Sequence, residues 1–255
     1  MSSCCRSGPC EEMFGAKAAE RDLEEYLRHG LGDLERRMVA DLRTVLGAAA
    51  HGAAPGSPRA ASHGRPKAAM ASASGATTSP TEADPVLAGT RVLEIGGGVG
   101  AIQAALLRSG AATGEVIELV PAYRRVPPPL AGGPGPAGRP PPRRRAPPAH
   151  PQPPAPADLV IMNRVVCCSA EGVELAATAA RLTRRALALS YPRSTRFTRF
   201  AAAAQRTVYR WLGRTYRAFA WPEEVLASAV CREGLRVAAE GGGSVWRYMV
   251  LVRAG

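Results

Sequence analysis

The chain has 255 residues, 46% of them hydrophobic and 5% aromatic, and its formal net charge is +12. This length allows one α/β domain with additions or two small domains, and no apolar run approaches the ~20 residues that span a bilayer. A positive charge is typical of proteins that bind nucleic acids or anionic surfaces. Here, however, residues 119–157 contain six arginines and no acidic residue, so half of the excess charge lies in one segment.

The cysteines are expected to be free thiols. The chain begins Met1-Ser2-Ser3, without a basic or apolar signal region, which favours reducing, cytoplasmic surroundings. Zinc is not favoured, because no C-x₂-C pair occurs and the four histidines fall in other contexts. We therefore expect no metal at the six cysteines, which are Cys4, Cys5, Cys10, Cys167, Cys168 and Cys231.

Residues 1–47 are predicted to form an N-terminal helical region. Apolar side chains recur at helical spacing in two groups, and glycines between the groups separate two helices: Leu23, Tyr26 and Leu27, then Gly30 and Gly32, then Leu34, Met38, Leu42 and Val45. Residues 48–85 are mostly Ala, Gly, Ser and Pro, which bury too little apolar surface to offset the entropy of ordering. We expect them to be a flexible linker to a domain that spans residues 86–255.

The next segment predicts a strand, a tight turn and a helix, the first unit of an open parallel sheet. Residues 92–95 are an apolar run, glycines follow, and a helical pattern resumes at Ala101. A dinucleotide fingerprint, G-x-G-x-x-G/A, is satisfied by Gly96, Gly98 and Ala101. The competing pattern E-x-G-x-G-x-G uses Glu94, Gly96, Gly98 and Gly100. A carboxylate at position 94 repels a pyrophosphate and suits a cationic ligand that carries an amino group.

With this acidic residue before G-x-G-x-G, the chain resembles the class I S-adenosyl-L-methionine (SAM)-dependent methyltransferases. Its segments C-E-x-M-F, E-L-x-P-A-Y, N-R-V-V-C-C and L-S-Y-P-R are similar to a group of bacterial methyltransferases of undefined substrate and, distantly, to the magnesium-protoporphyrin methyltransferases. The resemblance implies that SAM is the cofactor and that the N-terminal helices cap its site. It also implies that its methionine moiety is held by Glu94, Gly96, Gly97, Gly98 and Gly100.

The second predicted strand, residues 114–121, places Glu118 at its carboxyl end. Ligands of open α/β sheets bind outside the carboxyl ends of the strands, and an acidic side chain there accepts hydrogen bonds from ribose hydroxyls. Glu118 is therefore the predicted ribose ligand, both for SAM and for a nicotinamide dinucleotide.

Residues 124–157 have an unusual composition: 30 of the 34 positions are Ala, Gly, Pro or Arg, and 14 are proline. The third strand and the helices on either side of it belong here, yet proline removes hydrogen-bond donors and blocks helix interiors, so at this density it is expected to exclude all three. Two explanations stay open. The segment is either an out-of-frame translation of a G+C-rich coding stretch, or a disordered Pro/Arg loop able to bind an acidic partner or a proline-recognising domain.

The remaining pattern completes the sheet. Residues 157–166 predict the fourth strand, 171–185 a helix, 185–192 the fifth strand, 195–217 a helix-rich insertion, 222–234 a helix, and 235–239 with 244–252 a terminal hairpin. The predicted fold class is thus α/β, a Rossmann-like doubly wound sheet with an antiparallel last strand, an N-terminal helical cap and a disrupted third βα unit.

Acceptor-side candidates follow from the same resemblance. Class I enzymes place acceptor-facing residues after the fourth strand, where Asn163 and Arg164 lie, and we add Tyr26 and Tyr191 to them. The arginines among aromatic residues at 193–217 are interpreted either as ligands of an anionic acceptor or of nucleic acid phosphates, or as the solvated face of an amphipathic helix, which we favour.

Three functions stay under consideration. The first is methyl transfer from SAM to a small-molecule acceptor, with no nucleic acid and no membrane as partner. The second is a non-catalytic or defective methyltransferase-like protein that acts through its basic Pro/Arg segment. The third is an NAD-linked oxidoreductase. The sequence predicts neither the acceptor nor the oligomeric state.

Overall fold

The computed structural model describes residue 10 and residues 13–50, 84–127, 143–145 and 154–254. Most of the predicted 48–85 linker and of the Pro/Arg segment lies outside the described residues, as do Cys4 and Cys5. Two helices precede the sheet, α1 (Ala16–His29) and α2 (Asp33–Ala50), with Gly30 ending α1 in a left-handed conformation at φ +70°. Among the described helices, none combines the length and apolar character needed to cross a membrane.

A seven-stranded sheet forms the centre of the molecule, in the order β3-β2-β1-β4-β5-β7-β6. Its elements follow one another as β1 (Arg91–Ile95), α3 (Ala101–Arg108), β2 (Thr113–Ile117), α4 (Pro121–Arg125), β3 (Arg143–Arg145), β4 (Ala157–Met162), α5 (Gly172–Arg181), β5 (Thr183–Pro192), α6 (Arg196–Trp211), α7 (Glu223–Cys231), β6 (Leu235–Gly242) and β7 (Trp246–Arg253). The strands β1 to β5 pair in parallel, and β7 runs antiparallel between β5 and β6. The predicted Rossmann-like sheet with an antiparallel last strand is confirmed.

The third βα unit is reduced rather than absent. Arg143–Arg145 form a three-residue strand that pairs in parallel with β2, Arg144 opposite Val116. The expectation that proline excludes a strand from this segment is wrong at these three positions. They form a proline-free run, so their backbone N–H groups are available to the ladder, whereas the three residues before them are prolines.

Several element ends differ from the sequence prediction: β2 ends at Ile117 rather than at 121, and β4 ends at Met162 rather than at 166. The helix predicted for residues 171–185 ends at Arg181, because β5 begins at Thr183 and pairs with Ala157. The glycines predicted as the terminal turn belong partly to β6, where Gly241 pairs with Tyr248. The Tyr248 side chain requires a glycine at this position of β6, because a Cβ on Gly241 would lie 2.4 Å from the Tyr248 hydroxyl oxygen.

Apolar layers cover both faces of the sheet, as expected for parallel strands. On one face α2 and α3 pack over Val92, Leu159, Ile161 and Val250, and on the other α5 and α7 pack over Leu93, Val160, Leu187 and Leu251. A third cluster joins α1 to the glycine turn and α4 through Ala19, Val99, Val120 and Tyr123. The first helix therefore lies over the carboxyl end of β1 and β2, the position expected of a cap.

Candidate cofactor and acceptor site

The turn between β1 and α3 consists of glycines in conformations that other residues rarely adopt. Gly96, Gly98 and Gly100 have φ of +64°, +56° and +76°, and Gly100 is the N-cap of α3. The turn is tied to the neighbouring strand by the Gly96 amide, which donates to the Ile117 carbonyl at 2.7 Å. A Cβ on Gly96 would lie 2.6 Å from Cγ2 of Val165. The glycines are therefore required by backbone geometry and by close packing.

Glu94 lies beneath this turn. Its side chain is buried, and a Cβ on Gly97 would lie 2.7 Å from its carboxyl carbon. Oε2 accepts a hydrogen bond from the Gln103 amide in the first turn of α3, at 3.2 Å. The carboxylate predicted to favour a cationic ligand is thus in direct contact with the glycine turn.

Glu118 approaches the same turn from the end of β2. Its Oε2 accepts from the Gly98 amide and its Oε1 from the Val120 amide, each at 2.8 Å. The residue is 5% exposed. Two buried carboxylates, one from each strand end, therefore contact residues 96–100, and each Glu118 oxygen keeps a further acceptor position for a ligand hydroxyl.

Two tyrosine hydroxyls form hydrogen bonds at the cap helix α1. Tyr26 belongs to this helix, and Tyr123 belongs to α4. Tyr26 accepts from Nη1 of Arg108 at 2.7 Å, and burial, together with the charge of Glu94, raises the pKa of Tyr26 against the opposing effect of Arg108. The Tyr123 hydroxyl donates to Oδ2 of Asp22 at 2.5 Å. The predicted residue Tyr26 is therefore buried in the cap and bound to Arg108, the last residue of α3.

Asn163 and Arg164, at the end of β4, are held by a carboxylate from the cap. Oε1 of Glu35 accepts from Nδ2 of Asn163 at 3.2 Å and pairs with Nη2 of Arg164 at 3.1 Å. The buried Ser190 hydroxyl donates to Oδ1 of Asn163 at 2.7 Å and accepts from the Arg164 amide at 2.9 Å. The guanidinium of Arg164 also lies over the Trp246 ring. Glu35 therefore links helix α2 to the carboxyl end of β4.

Replacing Glu35 by alanine is expected to lower the free energy of unfolding by about 1–3 kcal/mol, because the half-buried Asn163 amide and the Arg164 guanidinium lose their shared buried acceptor. The control is Glu174→Ala, which removes an exposed partner of Arg181 and is expected to cost about 0–1 kcal/mol. Urea denaturation measures both changes. Equal losses in the two variants would show that Glu35 has no special structural role.

Two adjacent thiols follow this strand end. Cys167 is buried and Cys168 half-buried, with their sulfurs 3.7 Å apart, and Sγ of Cys168 lies 3.4 Å from the Tyr216 hydroxyl. Hydrogen bonds from Cys167 and, more weakly, from Tyr216 lower the pKa of Cys168 to about 7, although burial acts in the opposite direction. The same pairing raises the pKa of Cys167. Cys168 is therefore the thiol expected to react near neutral pH.

We expect the alkylation rate of Cys168 by iodoacetamide to rise with pH and to reach half of its maximum near pH 7, because the reactive thiolate replaces the thiol through its pKa. Peptide-resolved mass spectrometry measures the rate, with the exposed Cys231 as an internal reference. Tyr216→Phe removes one donor to the thiolate and should move the midpoint to higher pH. An unchanged midpoint would contradict the role assigned to Tyr216.

Tyr191 is not brought together with the other candidates. It is fully buried in the layer between the sheet and α7, among Leu187, Leu189 and Leu226. Glu94 belongs to the opposite face of the sheet, which α3 covers. The acceptor role of Tyr191 stays a prediction that this placement does not support.

A cavity of about 600 Å³ lies between the end of α6 and Tyr216. It is lined by arginines, with Thr207, Gly213 and Thr215 between them: Arg206, Arg210, Arg214 and Arg217. Because Tyr216 contacts Cys168, the cavity adjoins the residues that follow β4. Part of the predicted arginine-rich insertion is thus placed beside the candidate site.

Sequence reasoning missed several residues of this region. Glu35, Tyr123 and Tyr216 were not candidates, and the long-range partners of the first two, Asn163 and Asp22, lie 128 and 101 positions away along the chain. For Glu35, the one signal in the sequence was that this acidic residue lies next to the apolar positions of α2. Within the described ranges no group of three or more His, Cys, Asp or Glu side chains is arranged to hold a metal ion.

Comparisons with known proteins agree with this architecture. No family model matches the chain, and no curated protein matches it. The chain is similar to magnesium protoporphyrin IX methyltransferase from Synechocystis solved with bound SAH, at 17% identity and a TM-score of 0.55, over 96% of this chain and 98% of that one. The same enzyme with bound SAM gives 15% identity and a TM-score of 0.51, over 96% and 95% of the two chains.

An O-methyltransferase family 2 protein from Planctomyces limnophilus, in complex with apigenin, matches at 16% identity with a TM-score of 0.51, over 66% of this chain and 50% of its own. At these identities the likeness concerns the fold. Together with the strand order and the antiparallel β7, it shows that the chain has the fold of the class I SAM-dependent methyltransferases.

Proposed function

We propose that the protein transfers a methyl group from SAM to a small-molecule acceptor. The observation that carries this proposal is the glycine turn held between two buried carboxylates, Glu94 below it and Glu118 beside it. Glu118 suits the ribose of either cofactor, whereas the negative charge of Glu94 suits a cationic donor and opposes the diphosphate of a nicotinamide dinucleotide. This charge pattern favours SAM over NAD.

The residues of the turn fit the proposed cofactor. Gly96, Gly97, Gly98 and Gly100 leave the backbone free of side chains, so a ligand approaches it closely, and Glu94 supplies negative charge for the methionine ammonium group. Glu118 has acceptor positions left for the ribose hydroxyls. When bound, SAM supplies an electrophilic methyl group on its sulfonium. The protein then has to orient the acceptor and exclude water.

On the acceptor side we assign Tyr26, Asn163 and Arg164, and we keep Tyr191 as the weakest candidate because it is buried away from them. The arginine-lined cavity beside Tyr216 suits an anionic acceptor. If the acceptor atom belongs to a carboxylate, it needs no general base, since it is already deprotonated at neutral pH. Cys167, Cys168 and Cys231 are free thiols, which supports a reducing, cytoplasmic setting.

Isothermal titration of the full chain with SAM, SAH and NAD⁺ tests the proposal. Micromolar binding of SAM and SAH without binding of NAD⁺ is the expected result. Binding of NAD⁺ alone would favour the oxidoreductase alternative. No binding by a cooperatively folded protein would favour a non-catalytic methyltransferase-like chain that acts through its Pro/Arg segment.

A further inference from the structure

Helix α6 presents large apolar side chains to solvent. Their exposed fractions range from 54% to 84%, in Phe197, Phe200, Val208, Trp211 and the adjoining Leu212. At 3.6 residues per turn these five positions fall on one face about 120° wide. We call these five residues the apolar face of α6. Such a contiguous exposed apolar strip is typical of an interaction surface.

The helix contacts the rest of the protein through a different face. Its half-buried positions are small or polar: Thr198, Ala202, Gln205 and Tyr209. Tyr209 packs against the Tyr216 ring, with centroids 6.4 Å apart. The helix start is fixed by Thr195, which accepts from the Thr198 amide in a capping box. The apolar face is therefore directed outward by how α6 is docked.

The charge around α6 is uniformly positive. Residues 193–222 contain seven arginines and no Asp or Glu. Arg196, Arg206 and Arg210 are exposed on the strip of the helix next to the apolar face, and Arg193, Arg214 and Arg217 are exposed at its ends. Within the described ranges, none of these six forms an ion pair with a carboxylate. A partner for this surface must be anionic as well as apolar.

We propose that α6 binds the surface of an anionic lipid bilayer, with its apolar face in the boundary between headgroups and acyl chains and with Arg193 and Arg196, which do not line the cavity beside Tyr216, at the lipid phosphates. Basic helices with Phe, Trp and Leu on one face lie in the interface plane in this way. The strip from Phe197 to Trp211 is roughly 20 Å long, and a bilayer accepts such unevenly sized side chains without a matching pocket. The expectation of no membrane partner rested on the lack of a spanning segment, which a helix lying in the plane does not need.

Co-sedimentation of the full chain with vesicles tests the proposal. We expect binding to vesicles of phosphatidylglycerol and phosphatidylcholine, little binding to phosphatidylcholine alone, and weakening as salt screens the arginines. The double variant F197S/W211S should bind at least about tenfold less, because it removes two interfacial anchors. The control L27S/V245S alters two exposed apolar residues on other elements and should bind as the unmodified protein does.

Fluorescence of Trp211 gives an independent readout. It is 84% exposed, so quenching by brominated lipid should occur with the unmodified protein and fall in W211F. The proposal is overturned by an absence of binding at low salt, by equal binding to neutral and anionic vesicles, or by equal losses in the test and control variants. It is also overturned if size-exclusion chromatography with light scattering shows a dimer that F197S/W211S dissociates, because the apolar face would then cover a second copy.

Discussion

Replacing Gly96 by alanine is expected to lower the free energy of unfolding by about 2–5 kcal/mol and to weaken SAM binding. Two costs combine. A left-handed conformation costs a residue with a Cβ about 1–2 kcal/mol, and forcing a methyl group into a packed site costs about 1–3 kcal/mol. Both apply here, because Gly96 has φ +64° and its Cβ would meet Val165 at 2.6 Å. Urea denaturation and titration with SAM measure the two effects.

The chain offers a matched control for this substitution. Gly89 has φ +73°, and a Cβ placed on it would meet nothing within 4 Å. Gly89→Ala should therefore show the conformational cost alone, about 1–2 kcal/mol. Adding Val165→Ala to Gly96→Ala removes the two nearest clashing atoms. The double variant should recover part of the extra stability that Gly96→Ala loses relative to Gly89→Ala. If Gly96→Ala and Gly89→Ala cost the same, the close approach of Val165 to the turn has no energetic consequence.

Glu118→Ala is expected to weaken SAM binding by about 30- to 1,000-fold. This range corresponds to a loss of about 2–4 kcal/mol, the order expected when hydrogen bonds between hydroxyls and a buried carboxylate are removed. The variant also frees the Gly98 and Val120 amides that Glu118 holds, so the turn loses part of its support. Isothermal titration with SAM gives the change in affinity.

Glu115→Gln separates an effect on the ligand from a general loss of stability. Glu115 lies on β2, the strand that Glu118 directly follows, is about as buried as Glu118 and pairs with Arg91 at 2.5 Å, away from the glycine turn. This control should lower stability and leave the affinity for SAM within about twofold, since it changes no group near the turn. Comparable losses of affinity in both variants would contradict the assignment of Glu118 to the ribose.

The unit β1–turn–α3 could be predicted from local sequence because its determinants are local. The apolar residues Val92, Leu93 and Ile95 form a buried strand, and glycines permit positive φ at positions 96, 98 and 100. The direct contacts of Glu94 and Glu118 with the turn follow from strand register, since both residues stand at the carboxyl ends of neighbouring strands.

The partners that complete the site could not be predicted in this way. Hydrophobic periodicity states which side chains share a face of a helix or strand, but it does not state what that face meets. Glu35 reaches Asn163 only because α2 packs across the sheet, and Tyr216 reaches Cys168 only because the chain after α6 returns to the end of β4. The same limit explains Tyr191, whose burial beside Leu226 depends on the packing of α7 against the sheet.

The sequence by itself therefore determined the succession of strands and helices along the chain, the glycine turn and the two acidic strand ends, because these depend on neighbouring residues and on dihedral angles that glycine alone adopts readily. Only the tertiary structure decided which face of α6 meets solvent, which cap residues hold Asn163 and Arg164, and where the short β3 pairs. The physical reason is that these features depend on contacts between distant segments, and such contacts are fixed when the chain packs as a whole.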